Sequence, residues 1–233
     1  MMISEGIENI DIHMPNDAYD TRKDMPTFNT YLAVIVKNSE GNIIKVHRQK
    51  SHSPTTNFIA LLLPVNYYTS TNSSITITGL AGASYNYQPA FSNNGYDITY
   101  PNDGNSYYSY LLEIDVGSGT QSNPLTATNL ASPIANGSGA GQLVYGAVSV
   151  SPSITINGSS AYFYISQTFN NQSGSAITIT EVGIVTKISI YNIYVDAYEG
   201  IFTLLTWYDV LSSPVSIPNG GSATIRYIFE VNP

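Results

Sequence analysis

The sequence predicts an all-β protein, a jelly-roll or Greek-key β-sandwich with an extended N-terminal arm and one short helix. Three observations predict it. From Ala161 to Val231 apolar and polar residues alternate in short runs separated by clusters of Asn, Gly, Ser and Pro, the period-2 signature of half-buried strands. Helical spacing of apolar residues is confined to one segment, after Ser51. The 233 residues contain no cysteine, so the core must be held by packing between sheets, and the chain is long enough for that.

Residues 1–26 carry acids, Asn and a few Ile with neither helical nor strand period and end at Met25-Pro26; they read as an arm that a neighbouring subunit would hold. Tyr31 to Val36 is a strand, Lys37 to Asn42 turns the chain, and Ile43 to Val46 returns as the second strand of a hairpin. In Ser51-His52-Ser53-Pro54, Ser53 is placed to cap a helix and Pro54 to occupy its first turn, where no N–H is needed. Phe58, Leu61 and Leu62 share a helical face, and Pro64 ends the element. Ser74 to Leu80 alternates as a strand. Ala81 to Asn105, rich in Gly, Asn and Tyr, reads as a long connection.

Tyr107 to Val116 is the next expected strand, followed by a break at Gly117-Ser118-Gly119 and a loop-rich stretch to Gly141; loops of that length are usually functional or buried in an interface. Leu143 to Val150 is a strand, and Ile154 to Ile156 leads through Asn157-Gly158, a type I′ hairpin signal, into Ala161 to Phe169. After a turn over Asn170 to Ser175, strands are expected over Ala176 to Ile190, Ile201 to Val210, Val215 to Ile217 and Ala223 to Val231. In the last of these Ile225, Tyr227, Phe229 and Val231 point one way, and Thr224, Arg226, Ile228 and Glu230 the other. Three segments result: the arm over 1–26, a region of hairpin, short helix and Tyr-rich loop over 27–105, and a jelly-roll-like sandwich over 106–233.

Charge narrows the function. Only 10% of residues are charged, against about 25% in ordinary soluble domains, so the surface is kept in water mainly by Ser, Thr, Asn and Tyr and suits lateral contact with copies of itself. The net charge of -8 argues against nucleic acid, whose binding rests on Lys and Arg. Six of the eight basic residues precede Ser51, but Asp17, Asp20, Asp24 and Glu40 lie among them. The N-terminus carries acids where a secretory signal has a basic and then an apolar stretch. The longest apolar run, Phe58 to Leu63, is far short of a membrane span, so no membrane association is expected.

No catalytic constellation is expected, and neither metal nor cofactor. His13, His47 and His52 have no carboxylate placed to orient an imidazole and read as surface or interface side chains; no nucleophile elbow, P-loop or zinc-protease motif occurs. Glu113 and Asp115 share a strand face at the spacing of a glycosidase pair, but adjacent same-face positions have that spacing by default, and there is no tryptophan-lined cleft. Four Asn-x-Ser sequons, at Asn72, Asn136, Asn157 and Asn171, permit glycosylation. The unusual feature is 19 tyrosines against one tryptophan. Tyr85, Tyr87, Tyr107, Tyr108, Tyr191, Tyr194 and Tyr198 are the candidate interface or ligand-facing residues, because tyrosine buries a rigid ring while keeping a hydroxyl for a partner. Asn38 to Asn42, Tyr85 to Tyr110 and Tyr191 to Tyr198 are the loops expected at contacts.

The C-terminal stretch Phe169-Asn170-Asn171-Gln172-Ser173-Gly174, then Ile177-Thr178-Ile179-Thr180-Glu181-Val182-Gly183-Ile184, then Asp209 to Ser222 with Pro214-Val215-Ser216-Ile217-Pro218-Asn219-Gly220-Gly221-Ser222, resembles a sandwich family found among structural proteins of bacterial and archaeal viruses. His47 to Leu63 is similar to the helix-bearing segment that precedes it, and Ile114 to Gly119 to its middle strand and glycine turn. The chain departs from that pattern at Tyr208, where a basic residue commonly precedes the Asp, and from Lys187 to Gly200. The Tyr, Ile, Asn and Ser bias is similar to that of archaeal viruses of hot acidic water. The resemblance implies a non-enzymatic virion protein, made in the host cytoplasm, that forms a homo-oligomer and meets other virion proteins in a capsid-vertex, turret or tail-side element. Two alternatives stand beside it: a host-attachment module in which tyrosines bind a surface glycan, and a cellular surface-filament subunit joined by strand donation.

Overall fold

The computed structural model describes residues 27–51, 54–62, 75–80, 84–87, 112–151, 153–192 and 197–232. They form an all-β sandwich of two antiparallel sheets. The first sheet has the order β2-β1-β12-β9-β6, from Ile43–Lys50 (β2), Thr27–Lys37 (β1), Ser222–Asn232 (β12), Ser160–Asn170 (β9) and Val144–Tyr145 (β6). Two more short strands, Ser149–Val150 (β7) and Thr155–Asn157 (β8), pair with β9. The second sheet has the order β11-β10-β5, from Ala197–Ile217, Ile177–Asn192 and Leu112–Gly117. Ile75–Thr78 (β3) and Ser84–Tyr87 (β4) form a separate two-stranded ribbon, and Thr56–Leu62 is the helix, α1. β1 and β2, from the segment 27–105, thus share a sheet with β12 and β9, from the segment 106–233. The expected arm over 1–26 lies outside the described residues.

The core follows from strand parity. Leu32, Val34 and Val36 of β1, Ile225, Tyr227 and Phe229 of β12 and Ile165 and Phe169 of β9 meet Ile114, Val116, Val182, Ile184, Trp207, Val215 and Ile217 of the facing sheet. The alternation read in the last strand is present, with Ala223, Ile225, Tyr227 and Phe229 buried and Val231 exposed.

Several element boundaries differ from the expectation, each for a local reason. Thr55, not Ser53, caps the helix: its Oγ1 accepts from the Phe58 N–H at 3.5 Å, and its carbonyl accepts from Ile59. Pro54 therefore precedes the helix, where it bridges to Trp207. The two-residue turn between β8 and β9 is Gly158-Ser159, because Asn157 pairs with Ser160 and Gly158 takes φ +60°. The expected strand Leu143 to Val150 is broken: Tyr145 pairs with Phe169 and Ser149 with Ser166, so one extra residue bulges between them after Gly146. Ile201 to Val210 and Val215 to Ile217 belong to one strand, β11, but Leu211 to Pro214 bulge out of its ladder with β10, where Val210 lies opposite Glu181 and Val215 opposite Ile179; Pro214 therefore costs no ladder bond. Ser84–Tyr87 is a strand inside the expected connection Ala81 to Asn105.

The loop after β5 folds back over the outer face of the second sheet. Ala127 and Leu130 pack there on Val185, Leu205 and Tyr208, a second small core. Its anchor is Glu181 of β10, a fully buried carboxylate whose Oε1 accepts from Gly119 N (3.1 Å) and Ser132 N (2.7 Å) and whose Oε2 accepts from Ala131 N (2.9 Å) and the Tyr208 hydroxyl (2.7 Å). Four donors offset the cost of burying the carboxylate.

Candidate functional site

The seven tyrosines singled out in the sequence do not form one described surface. Tyr85 and Tyr87 lie on β4, opposite Ile77 and Ile75 of β3. Tyr191 and Tyr198 are partners across β10 and β11, near the end of that hairpin. Tyr107, Tyr108 and Tyr194 lie outside the described residues. Of the loops expected at contacts, Asn38 to Asn42 is a tight turn, in which Asn38 Oδ1 accepts from the N–H groups of Glu40 (3.1 Å) and Asn42 (2.9 Å) and Gly41 takes φ +84°.

Among the described residues, several ionisable and polar groups act as structural ties. Asp209 is fully buried and accepts from the Ser51 hydroxyl at 2.6 Å, while the Trp207 indole N–H donates to the same Ser51 oxygen at 2.6 Å. The Tyr227 phenol is held well above its ordinary range, first by burial and then by Asp209. His47, expected at the surface or at an interface, is buried within the chain and bonded to Gln49 Oε1 at 2.9 Å. Gln49 in turn donates to Val210 O (3.0 Å) and accepts from Ser212 N (2.8 Å), so β2 is stitched to β11 of the facing sheet. Glu113 and Asp115 are half-buried on the face of β5 opposite Ile114 and Val116. Burial, then Glu113, pushes Asp115 up to about 6, with Lys187 opposing. Among the described residues no group of three or more His, Asp or Glu is placed to hold a metal ion, and no helix is long and apolar enough to cross a membrane. Asn171 is fully buried, its amide donating to Ser175 O and Ile217 O at 2.8 Å each, so that sequon has no room for a glycan.

Among the described residues several large apolar side chains are exposed, Ile43, Ile44 and Val46 of β2 among them, and one group of them aligns at one end of the first sheet. Phe28, Val231, Ala161 and Ile156 stand side by side across β1, β12, β9 and β8. Their parity is that of the core-facing residues, and Phe28 lies 6.3 Å from the Phe229 ring, itself stacked at 4.8 Å on Phe163 and edge-on to Trp207 at 5.4 Å. Yet Phe28 is 56%, Val231 42% and Ile156 76% exposed, and Ile154, two residues before Ile156, is 65% exposed. The core-facing side of this sheet continues past its cover as an apolar shelf. The sequence carried the signal in a form that strand patterning alone does not rank. Phe28, Val231 and Ala161 lie near strand ends and Ile156 on a three-residue strand, and only the register shows that they align.

No known protein family, curated protein or solved structure matches the chain.

Proposed function

We propose that this chain is a non-enzymatic structural subunit of a virion, a β-sandwich that assembles with copies of itself into a capsid-vertex, turret or tail-side element. The carrying observation is the shelf of Phe28, Val231, Ala161 and Ile156, a row of apolar side chains on the core-facing side of a sheet and in line with the Phe163–Phe229 stack. A second copy is the occupant that suits it, since the sequence is sparing in charge after Ser51 and the shelf residues themselves carry none. Burying the exposed part of each large side chain contributes about 1 kcal/mol, so a contact of three per copy, Phe28, Val231 and Ile156, is modest and gains its strength from repetition in a closed ring. The resemblance of Phe169 to Ser222 to virion sandwiches supplies the virion setting.

The test is the mass of the full chain in solution across a concentration series, with electron microscopy of any assembly. A discrete ring is expected, and Phe28→Asp with Ile156→Lys is expected to weaken it at least tenfold while leaving Trp207 fluorescence unchanged. A full-length chain that stays monomeric at high concentration, and binds on a glycan array, refutes the assembly reading in favour of a host-attachment module.

A further inference from the structure

Three strand edges of the sandwich can be compared by what satisfies their backbone. Along β5, Ile114 N donates to Gln167 Oε1 (2.7 Å), and Val116 O accepts from Ile134 N (2.9 Å). Along β11, Thr206 O accepts from Thr55 N (3.0 Å), Thr203 O from Leu80 N (2.9 Å) and Val210 O from Gln49 (3.0 Å), while Pro214 O accepts from Lys45 Nζ (2.8 Å). β2 differs. Ser51 N donates to Thr30 O at 2.7 Å, which fixes Gln49/Leu32 and His47/Val34 as the hydrogen-bonded pairs and turns the backbone groups of Val46, Arg48 and Lys50 away from β1. Among the described residues nothing bonds to those outward groups, and the side chains of Val46, Arg48 and Lys50 are exposed. An uncovered edge of this kind is a template for another strand.

Charge selects the occupant. β2 holds Lys45, Arg48 and Lys50 and no acid, so a second β2 laid against it would meet its own sign. Residues 1–26 hold Glu5, Glu8, Asp11, Asp17, Asp20 and Asp24 against Arg22 and Lys23. That segment leaves the sheet at the start of β1, at the end where Tyr31 lies opposite Lys50. Fully extended, 26 residues span about 90 Å, enough to reach a neighbour. On its own chain a short connection would run the segment parallel to β2, with β2 lying between it and the β1 it continues into.

We propose that β2 is the acceptor edge for residues 1–26 of a second copy, which add an outer strand whose acids lie against Arg48 and Lys50. This rests on the self-assembly reading and names its second contact. Such donation is head-to-tail, so it propagates from copy to copy and closes as a ring or continues as a filament.

The absence of cysteine makes the test direct. Full-length chains with Asp11→Cys, Asp17→Cys or Asp20→Cys are each mixed with full-length Arg48→Cys, oxidised and resolved by mass; Thr178→Cys, exposed on β10, is the control acceptor. At least tenfold more heterodimer with Arg48→Cys than with Thr178→Cys is expected for one of the three donors, falling in 1 M NaCl. Assembly without that enrichment overturns the acceptor assignment and leaves the self-assembly reading standing. A cross-link found only with both cysteines on one chain, at monomer mass, overturns it in favour of the chain's own segment. A chain that remains monomeric and uncross-linked overturns both.

Discussion

The Tyr208 hydroxyl donates to Glu181 Oε2 at 2.7 Å and accepts from the Gln121 N–H at 2.9 Å, so one phenol joins β11, β10 and the loop after β5. Burial, then the bond to Glu181, pushes its proton loss far above the ordinary range, which keeps it a donor at every working pH. Tyr208→Phe removes one of four donors from a buried carboxylate and orphans the Gln121 N–H. A loss of about 1–3 kcal/mol is expected in urea unfolding followed by Trp207 fluorescence. Glu181→Gln is expected to cost more, because an amide in that place offers one acceptor oxygen where two are used.

Glycine spacing around the same carboxylate is tested separately. A Cβ on Gly117 would run into Glu181 Oε1 and stand 2.7 Å from Ser132 O, and a Cβ on Gly183 would stand 2.5 Å from Leu205 Cδ1 and 2.9 Å from Trp207 O. Backbone atoms cannot step aside as a side-chain tip can. Gly117→Ala is therefore expected to release the 118–133 loop, read as faster hydrogen exchange at Ala131 and Ser132. Gly183→Ala is expected to lower the whole unfolding transition by about 1–3 kcal/mol.

Ser51 is the link between an indole and a carboxylate that both lie in the core. Ser51→Ala leaves the Trp207 N–H without its acceptor and takes a donor from Asp209, two losses of about 1–3 kcal/mol each where nothing replaces them. The outcome expected is a destabilised but folded protein with altered near-ultraviolet circular dichroism from the single tryptophan. A variant as stable as the parent would mean that water or a neighbouring group satisfies both partners.

These ties also mark where sequence reading succeeds and fails. Alternation placed Ile225, Tyr227 and Phe229 on one face because a strand's period is a local property. Register is not local. Glu181, Tyr208, Ser51 and Asp209 are ordinary letters in sequence and acquire roles only when β10, β11 and the residue after β2 are brought together across intervals such as the 158 residues between Ser51 and Asp209. The shelf was hidden for the same reason, since Phe28 and Ile156 become neighbours only through β12 and β9. Pro214 marks an interruption that is real but partial: Leu211 to Pro214 leave the ladder with β10, and the strand resumes at Val215, a continuity that only the register shows.

Asp115 gives the chain a stability that depends on pH with a definite sign. Its carboxyl is raised to about 6 in the folded protein, by burial first and Glu113 second, from an ordinary value of 3.8. Below the lower value the group is protonated in both states and costs nothing. Between the two values the folded state holds the proton that the unfolded chain has released, so stability falls as pH rises through that window and stays lower above about 6. The shift amounts to roughly 1–3 kcal/mol for a half-buried group. Asp115→Asn removes the ionisation, so the variant is expected to match the parent near pH 3.5 and to exceed it in urea midpoint at pH 7.5. If the variant is instead weaker at pH 7.5, the attraction of Lys187 outweighs the combined cost of burial and Glu113, and the sign is reversed.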